Sequence, residues 1–299
     1  MSDLALIASD APIAVLGAGT MGHGIAQLTA QRGHPTRLYD LHRAAAERGR
    51  DSVAASLERL VGKGKLPAAE RDAALGRLLA TDDLREAVAG AAVVIEAVPE
   101  SLDLKVDLWQ RVRPLAPADA LLASNTSSLS VTEMGQRGGE PARTLGLHFF
   151  NPPPVMELIE VVRGVNTAPD VIDRAVAFCQ SLGKTPIVVR DFPGFATSRL
   201  GVAIGAEAIR MLEQGVAATA DIDRAMELGY RHPMGPLKLT DLVGLDVRLS
   251  ILEHLHREVG EQFRPPALLR QMVRAGRLGK KSGLGFYRWT ERGAEPAPL

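Results

Sequence analysis

Residues 13–30 read IAVLGAGTMGHGIAQLTA, and no other stretch constrains the fold as much. A short β-prone apolar run, Ile13 to Leu16, enters glycines at positions 17, 19 and 22 in the spacing GxGxxG. It leaves on an apolar periodic segment (Met21, Ile25, Leu28) that predicts a helix. Gly17 makes the tight turn out of the strand, Gly19 lets the backbone approach a pyrophosphate, and Gly22 lets the helix pack closely on the strand. The helix's free N–H groups, with Thr20 and Met21 in its opening turn, then face the phosphates. The motif alone is weak, because glycine-rich turns are common. Here a second predicted strand, Thr36 to Tyr39, ends in Asp40 and completes the dinucleotide fingerprint. A carboxylate there accepts hydrogen bonds from the adenine ribose and repels a 2′-phosphate, which favours NAD over NADP. His42 and Arg43 follow at once and offer the competing reading, a phosphate contact.

A chain of 299 residues suits one to two domains with a large core. Lys+Arg and Asp+Glu balance at 35 each, so charge recruits neither nucleic acid nor an anionic membrane surface. Cys179 is the single cysteine, which excludes an intrachain disulfide and points to a reducing, cytoplasmic setting. Inside a predicted helix it reads as a small core residue rather than a nucleophile. The opening residues lack a basic start and a long apolar run, and no stretch approaches about 18 uninterrupted apolar residues. Neither a signal peptide nor a transmembrane helix is expected. No metal is expected either, since His, Cys and carboxylates show no ligand spacing. The Pro/Ala-rich residues 291–299 are expected to fray.

After Asp40 the pattern predicts a helix over residues 44–61, ended by Gly62, that presents Ser56 and then Lys63-Gly64-Lys65. Lysines suit a helix C-terminus, so the bland reading is a solvated helix end. A second helix over 68–79 forms a hairpin with the first, an insertion between the second and third strands. VVIEAV (93–98) is nearly continuous in apolar residues, as a central parallel strand requires. Its end carries Pro99 and Glu100, with Lys105 on the helix beyond. The next strand, Leu121 to Ser124, ends in Asn125-Thr126-Ser127-Ser128, more polar groups than the cap of one helix uses. Ligands of open α/β sheets lie outside the strands' carboxyl ends, so these residues are site candidates.

Residues 144–150 predict a strand carrying His148, followed by Asn151 and three prolines, and 155–162 predict another. In strand geometry Glu157 and Glu160 lie on opposite faces, each among apolar neighbours. A buried carboxylate must be paired or protonated; pairing with His148 would satisfy it, orient the imidazole and make it a better general base. Parity does not choose between the two glutamates, and a satisfied core histidine is the alternative. A strand over 185–189 closes a first domain (1–190), and Asp191-Phe192-Pro193-Gly194 forms a hinge into a second (191–299). There the strands stop, and helical patterns follow over 197–214, 220–228, 237–243, 245–259 and 267–275. Asp221 and Asp223 supply capping and charge to one of them. GKKSGLGFY (279–287) ends the pattern; its lysines either reach a phosphate or decorate a surface turn. The fold class is therefore α/β: a Rossmann-type doubly wound sheet with a helical hairpin insertion, plus an all-α C-terminal domain.

GAGTMGHGIA, SNTSSLSVTE, GLHFFNPPPVMELIEVV, DFPGF and GKKSGLGFY, in that order over nearly the whole chain, resemble the 3-hydroxyacyl-CoA dehydrogenase family. The likeness is greatest to its short, single-function members acting on 3-hydroxybutyryl-CoA. The resemblance implies reversible NAD-dependent oxidation of an (S)-3-hydroxyacyl-CoA to the 3-oxoacyl-CoA, in a homodimer formed through the C-terminal domain, with the active site in a cleft between domains. It implies that His148 is the base, oriented by Glu160 rather than Glu157. Ser127 would hydrogen-bond the reacting oxygen and Asn151 would lie beside the nicotinamide. Glu100, Lys105 and Lys281 match positions that contact the dinucleotide. Ser56 and Lys63 match positions that hold coenzyme A, which reverses the solvated-helix reading. One departure stands out: where the family follows PGF after two residues with Asn-Arg, this chain has Ser198-Arg199. Serine is shorter and lacks the amide's second group, which bears on acyl preference more than on the reaction. Two rival readings share the scaffold. A dehydrogenase of a free 3-hydroxy acid or sugar acid would leave Ser56 and Lys63 idle; a crystallin-like NAD-binding protein is opposed by the intact His148, Glu160 and Ser127.

Overall fold

The structure is a computed structural model and describes residues 7–298. Residues 1–6, on which the expectation of no signal peptide rests in part, and Leu299 lie outside it. The chain divides into two compact units, one running to Phe192 and the other beginning at Pro193.

The first unit runs β1 (Ile13–Leu16), α1 (Thr20–Gln31), β2 (Thr36–Tyr39), α2 (Arg43–Gly62), α3 (Ala68–Gly76), β3 (Leu78–Thr81), α4 (Leu84–Val88) and β4 (Val93–Glu96). It continues through α5 (Leu102–Val112), β5 (Leu121–Ser124), α6 (Val131–Gly138), β6 (Thr144–Phe149), β7 (Leu158–Arg163), α7 (Pro169–Ser181) and β8 (Thr185–Arg190). The sheet order is β3-β2-β1-β4-β5-β6-β7-β8. All neighbours are parallel except β6 and β7, which are joined without a crossover helix and so pair antiparallel. Every residue of β1, β4, β5 and β6 is buried, which is why those runs are almost uninterruptedly apolar. The chain winds outward from β1 in one direction, then returns to place β4 on its other side. That reversal opens a crevice at the carboxyl ends of β1 and β4.

Two expectations for this unit need correction. Residues 78–79 do not end a helix: α3 stops at Gly76, and Leu78–Thr81 pairs with β2 as the edge strand. The alternating apolar residues Leu78 and Ala80 are short enough to read as helix by periodicity, and only the pairing decides. Residues 155–157 are likewise not strand; β7 begins at Leu158, after the proline-rich turn has used up the segment.

The second unit comprises α8 (Thr197–Glu213), α9 (Thr219–Arg224), α10 (Pro236–Val243), α11 (Leu245–Glu258) and α12 (Ala267–Arg274), followed by β9 (Tyr287–Thr290) and β10 (Gly293–Pro296). It is helical as expected, around a core that includes Val202, Ile209, Leu237, Leu252 and Phe286, but not all-α, since β9 and β10 form a two-stranded sheet. The tail does not fray as expected, because residues 293–296 pair antiparallel with β9. Asp241, fully buried on α10, holds that hairpin: its carboxylate accepts from Phe286 N, Tyr287 N and Trp289 Nε1, each at 2.9 Å. A Cβ at Gly285 would lie 2.1 Å from that carboxylate, which accounts for one glycine of the final motif. Asp223 caps α10 rather than its own helix, accepting from Leu237 N (2.8 Å), Lys238 N (3.0 Å) and the Tyr287 hydroxyl (2.7 Å). Among the described residues, no helix is long and apolar enough to cross a membrane.

Candidate active site

The glycine loop behaves as its spacing requires. Gly17 has φ +105°, and a Cβ there would meet the Ala97 carbonyl oxygen at 2.7 Å. At Gly22 a Cβ would meet the Gly17 carbonyl oxygen at 1.7 Å, whereas at Gly19 it would find nothing within 4 Å. No described side chain caps α1, and its first turn holds no acid, so its leading N–H groups await an acceptor. They open on a cavity of about 510 Å³ lined by Gly17, Gly19, Thr20, Met21 and Asp40. One Asp40 oxygen accepts from Ala18 N at 2.9 Å, which ties the end of β2 to the loop, and the residue also lines the cavity. These residues fit a dinucleotide pyrophosphate and an adenine ribose. Arg43 pairs with Glu47 at 2.9 Å along α2, so its guanidinium is already engaged. Arg111 on α5 also lines the cavity, a basic residue that no sequence pattern singled out.

His148 sits opposite Glu160 in the β6–β7 register, and its Nδ1 lies 2.8 Å from Glu160 Oε2. Glu160 is fully buried and His148 keeps 7% exposure. A proton on Nδ1 would be accepted by this carboxylate, the tautomer that makes Nε2 the basic nitrogen. Glu157 is exposed and lies before β7, which removes it as the partner.

A second polar cluster lies at the ends of β4 and β5. Lys105, 1% exposed, places its ammonium 2.6 Å from Glu96 Oε1 and 3.2 Å from Glu100 Oε2. Glu96 also accepts from Ser124 Oγ (2.6 Å) and Val98 N (2.7 Å). Glu100 accepts from Thr126 Oγ1 (2.6 Å) and Ser127 N (3.0 Å). Burial pushes Glu96 above the usual carboxylate range even against the Lys105 charge. Burial pushes Glu100 the same way, but Lys105 and the Thr126 and Ser127 bonds outweigh it and hold Glu100 below that range. Glu96 escaped the sequence reading, although a lone carboxylate inside VVIEAV carries the same signal that singled out Glu160. The four residues 125–128 all find work, none of it helix capping. Ser130 caps α6; Thr126 closes a turn by accepting from Ser128 N and Leu129 N; Asn125 Oδ1 accepts from Phe149 N at 2.9 Å.

Ser56 and Asn151 line one cavity of about 500 Å³, with Thr20, His23 and Arg59. Gly24 lets the Asn151 turn come close, since a Cβ there would lie 2.7 Å from Pro153 Cδ. Lys63 is exposed at the end of α2 and does not line this cavity; Arg59, one turn earlier, does, and sequence reading missed it. In the second unit, Lys281 Nζ pairs with Asp246 at 2.6 Å, and Ser198 lies in the first turn of α8, half-buried.

A doubly wound sheet, a glycine loop fitted to a pyrophosphate, a carboxylate lining the cavity beside it and a histidine paired with a buried glutamate fit a dinucleotide-dependent dehydrogenase. Comparison with known proteins narrows this. Residues 12–192 match the 3-hydroxyacyl-CoA dehydrogenase NAD-binding domain, and 194–289 match the C-terminal domain of the same family. A 3-hydroxybutyryl-CoA dehydrogenase of Mycobacterium tuberculosis is 43% identical over 278 residues, 92% of this chain and 97% of that one. A 3-hydroxyadipyl-CoA dehydrogenase of Escherichia coli is 42% identical over 93% of this chain and 58% of its own length. The crystal structure of an (S)-3-hydroxybutyryl-CoA dehydrogenase from Ralstonia eutropha superposes with a TM-score of 0.91 at 39% identity, covering 95% of this chain and all of that one. The chain belongs to the 3-hydroxyacyl-CoA dehydrogenase family. It is an oxidoreductase, and NAD is its cofactor.

Proposed function

We propose that the enzyme interconverts short (S)-3-hydroxyacyl-CoA and 3-oxoacyl-CoA thioesters, 3-hydroxybutyryl-CoA being the minimal substrate, with His148 as the base. The observation that carries this reading is the 2.8 Å contact between His148 Nδ1 and Glu160. In the oxidative direction His148 Nε2 takes the 3-hydroxyl proton, and the Glu160 carboxylate stabilises the imidazolium that forms. NAD, when bound, accepts the hydride that leaves C3 as the C3–O bond becomes a carbonyl. Ser127, held by Glu100, donates to the reacting oxygen, and Ser198 contributes a second hydroxyl there. Gly17, Gly19, Thr20, Met21, Gly22 and Asp40 hold the dinucleotide, with Glu100, Lys105 and Lys281 supporting it and Asn151 beside the nicotinamide. Ser56 and Lys63 hold coenzyme A, whose anionic nucleotide end gives the lysine its reason.

The unit through Phe192 then serves as the NAD-binding domain and the unit from Pro193 as the substrate and dimerisation domain. Leu200 and Ile204 on α8 and Leu239, Leu242 and Val243 on α10 stay exposed, which supports a homodimer through the second unit. A single, unpaired cysteine and a CoA substrate support a cytoplasmic location. The test is NADH oxidation with acetoacetyl-CoA, beside free acetoacetate and with NADPH as control. Turnover with the thioester and NADH alone is expected. Equal rates with free acetoacetate would move the substrate to the unesterified acid.

A further inference from the structure

Residues 152–154 are three successive prolines, so this stretch has no N–H to donate and cannot tie itself to the sheet. Val155 N (3.0 Å) and Met156 N (3.1 Å) both donate to the Pro152 carbonyl and close the turn. Among the described residues no backbone N–H reaches the carbonyls of Pro154 and Met156. Lys184 supplies the missing donor: its Nζ donates to Met156 O at 2.7 Å and to Pro154 O at 3.3 Å. The backbone around Lys184 is set from both sides. Gly183, at φ +71°, ends α7, Lys184 N donates to Cys179 O, and Thr185 N donates to Glu157 O where β8 begins.

An ammonium is a costly group to place here. Lys184 is 8% exposed, and among the described residues no carboxylate lies within ion-pair distance of it. The Arg32 guanidinium is close by, since a Cβ at Gly183 would sit 2.6 Å from Arg32 Nη2. Burial first, and then the Arg32 charge, hold the ammonium below the usual lysine range. A methionine would fill the same space without the cost of desolvating a charge. What the charge adds is a pair of strong, directed hydrogen bonds that fix the far end of the turn.

That end matters because residues 151–155 form one wall of the cavity of about 500 Å³ that Thr20 and Ser56 also line. The turn is held at three points: Asn125 Oδ1 accepts from Phe149 N before it, Pro153 packs on Gly24 within it, and Lys184 clamps it where it ends. His148 and Glu160 stand outside the turn, placed by the β6–β7 register. Loosening the clamp therefore moves the wall and leaves the histidine pair in place.

We propose that Lys184 is a positioning residue for the thioester: by holding the Pro154 and Met156 carbonyls it fixes the proline wall of the cavity that receives the coenzyme A portion of the substrate. The inference rests on the dehydrogenase reading above, in which Ser56 marks this cavity as the coenzyme A site. Wild-type protein, Lys184→Met, Lys184→Gln and Lys184→Arg are compared for kcat, the KM of acetoacetyl-CoA, the KM of NADH and the melting temperature. Lys184→Met is expected to raise the thioester KM roughly 5- to 20-fold while kcat and the NADH KM move by no more than about twofold. Lys184→Arg keeps the charge and the donors and should recover much of the loss. A lower melting temperature with an unchanged thioester KM, or losses spread equally over kcat and both KM values, overturns the proposal. If Lys184→Met does not fold, Lys184→Gln, with a neutral donor on a shorter stem, carries the same comparison. If the wild-type protein turns over no thioester, the dehydrogenase reading fails, and calorimetric titration with coenzyme A alone decides the clamp separately. Weaker binding in Lys184→Met that Lys184→Arg restores upholds the clamp, and equal affinities overturn it.

Discussion

His148 and Glu160 face each other across the one antiparallel pair of the large sheet, with Nδ1 and Oε2 2.8 Å apart. Because both side chains project from paired strands, the contact is set by register and not by loop conformation. His148→Ala is expected to lower kcat by roughly 10²- to 10⁴-fold, the contribution of a positioned general base. Glu160→Gln keeps an acceptor for the Nδ1 proton but removes the charge that stabilises the imidazolium, so its loss should be smaller and fall on kcat more than on either KM. Steady-state rates with acetoacetyl-CoA and NADH check both. Near-normal turnover in His148→Ala would sink the assignment.

Lys105 and Glu96 form an ion pair that solvent barely touches, at 1% and 0% side-chain exposure. Lys105→Met leaves the Glu96 carboxylate buried without its cation and should cost about 3–5 kcal/mol. Adding Glu96→Gln to that variant should recover a large part of the loss, because no charge is then left unpaired. The pH dependence has a defined sign. Burial already raises Glu96 in the folded protein above its unfolded value. Its stabilising effect is therefore complete below the unfolded value and is lost as pH rises through the folded one. Lys105→Met raises the folded value further, so its deficit should be greatest near neutral pH and shrink as the pH falls toward about 5. Urea melts of the single and double variants across that range measure this; a deficit independent of pH would mean that the two groups are not coupled.

How much of this was legible in the sequence depends on which physics set each residue. The loop at Gly17, Gly19 and Gly22 was legible because each glycine answers a local steric demand, down to a Cβ that would collide with its own turn. His148 was legible as a candidate, but its partner was not. Strand parity placed Glu157 and Glu160 on opposite faces, and only the β6–β7 register decided between them. Leu78 and Leu79 were read as the end of a helix because the four residues of β3 carry too little periodicity to separate strand from helix. Asp223 and Asp241 were read as local caps or passed over, since their partners lie 14 and 45 positions away in sequence. Glu96 carries the clearest missed signal: a charged residue at an otherwise apolar strand position.

Asp40 does two things at once, accepting from Ala18 N at 2.9 Å and lining the cavity at the glycine loop. Asp40→Ala should therefore raise the KM for NAD and relax discrimination against NADP together. A fall in the NAD-to-NADP ratio of kcat/KM by roughly tenfold or more is expected, the worth of one charged hydrogen bond. An unchanged ratio would place the ribose elsewhere.

Lys63 and Arg59 divide the basic end of α2 between solvent and cavity. If Lys63 holds the anionic end of coenzyme A, Lys63→Ala should raise the thioester KM several-fold with kcat little altered, the pattern of lost uniform binding. Arg59→Ala should raise the same KM, and both effects should shrink at high salt. A KM for the thioester that neither variant moves would favour the free-acid substrate.

Cys179 lies on the buried face of α7 with Ile172, Ala175 and Phe178, at 0% exposure. Burial pushes its thiol up to about 12. Near pH 8 the thiolate is then a fraction of about 10⁻⁴, and thiolate is the species that reacts. Alkylation of the native protein must wait for the core around α7 to open, so its rate reports stability and not surface chemistry. Iodoacetamide at pH 8 is expected to leave the folded protein unmodified over an hour and to label one site fully in urea, as intact-mass measurement would show. Dinucleotide binding, which favours the folded state, should slow native labelling further. Rapid stoichiometric labelling without denaturant would contradict the packing of α7 against the sheet and reopen a reactive role for the thiol.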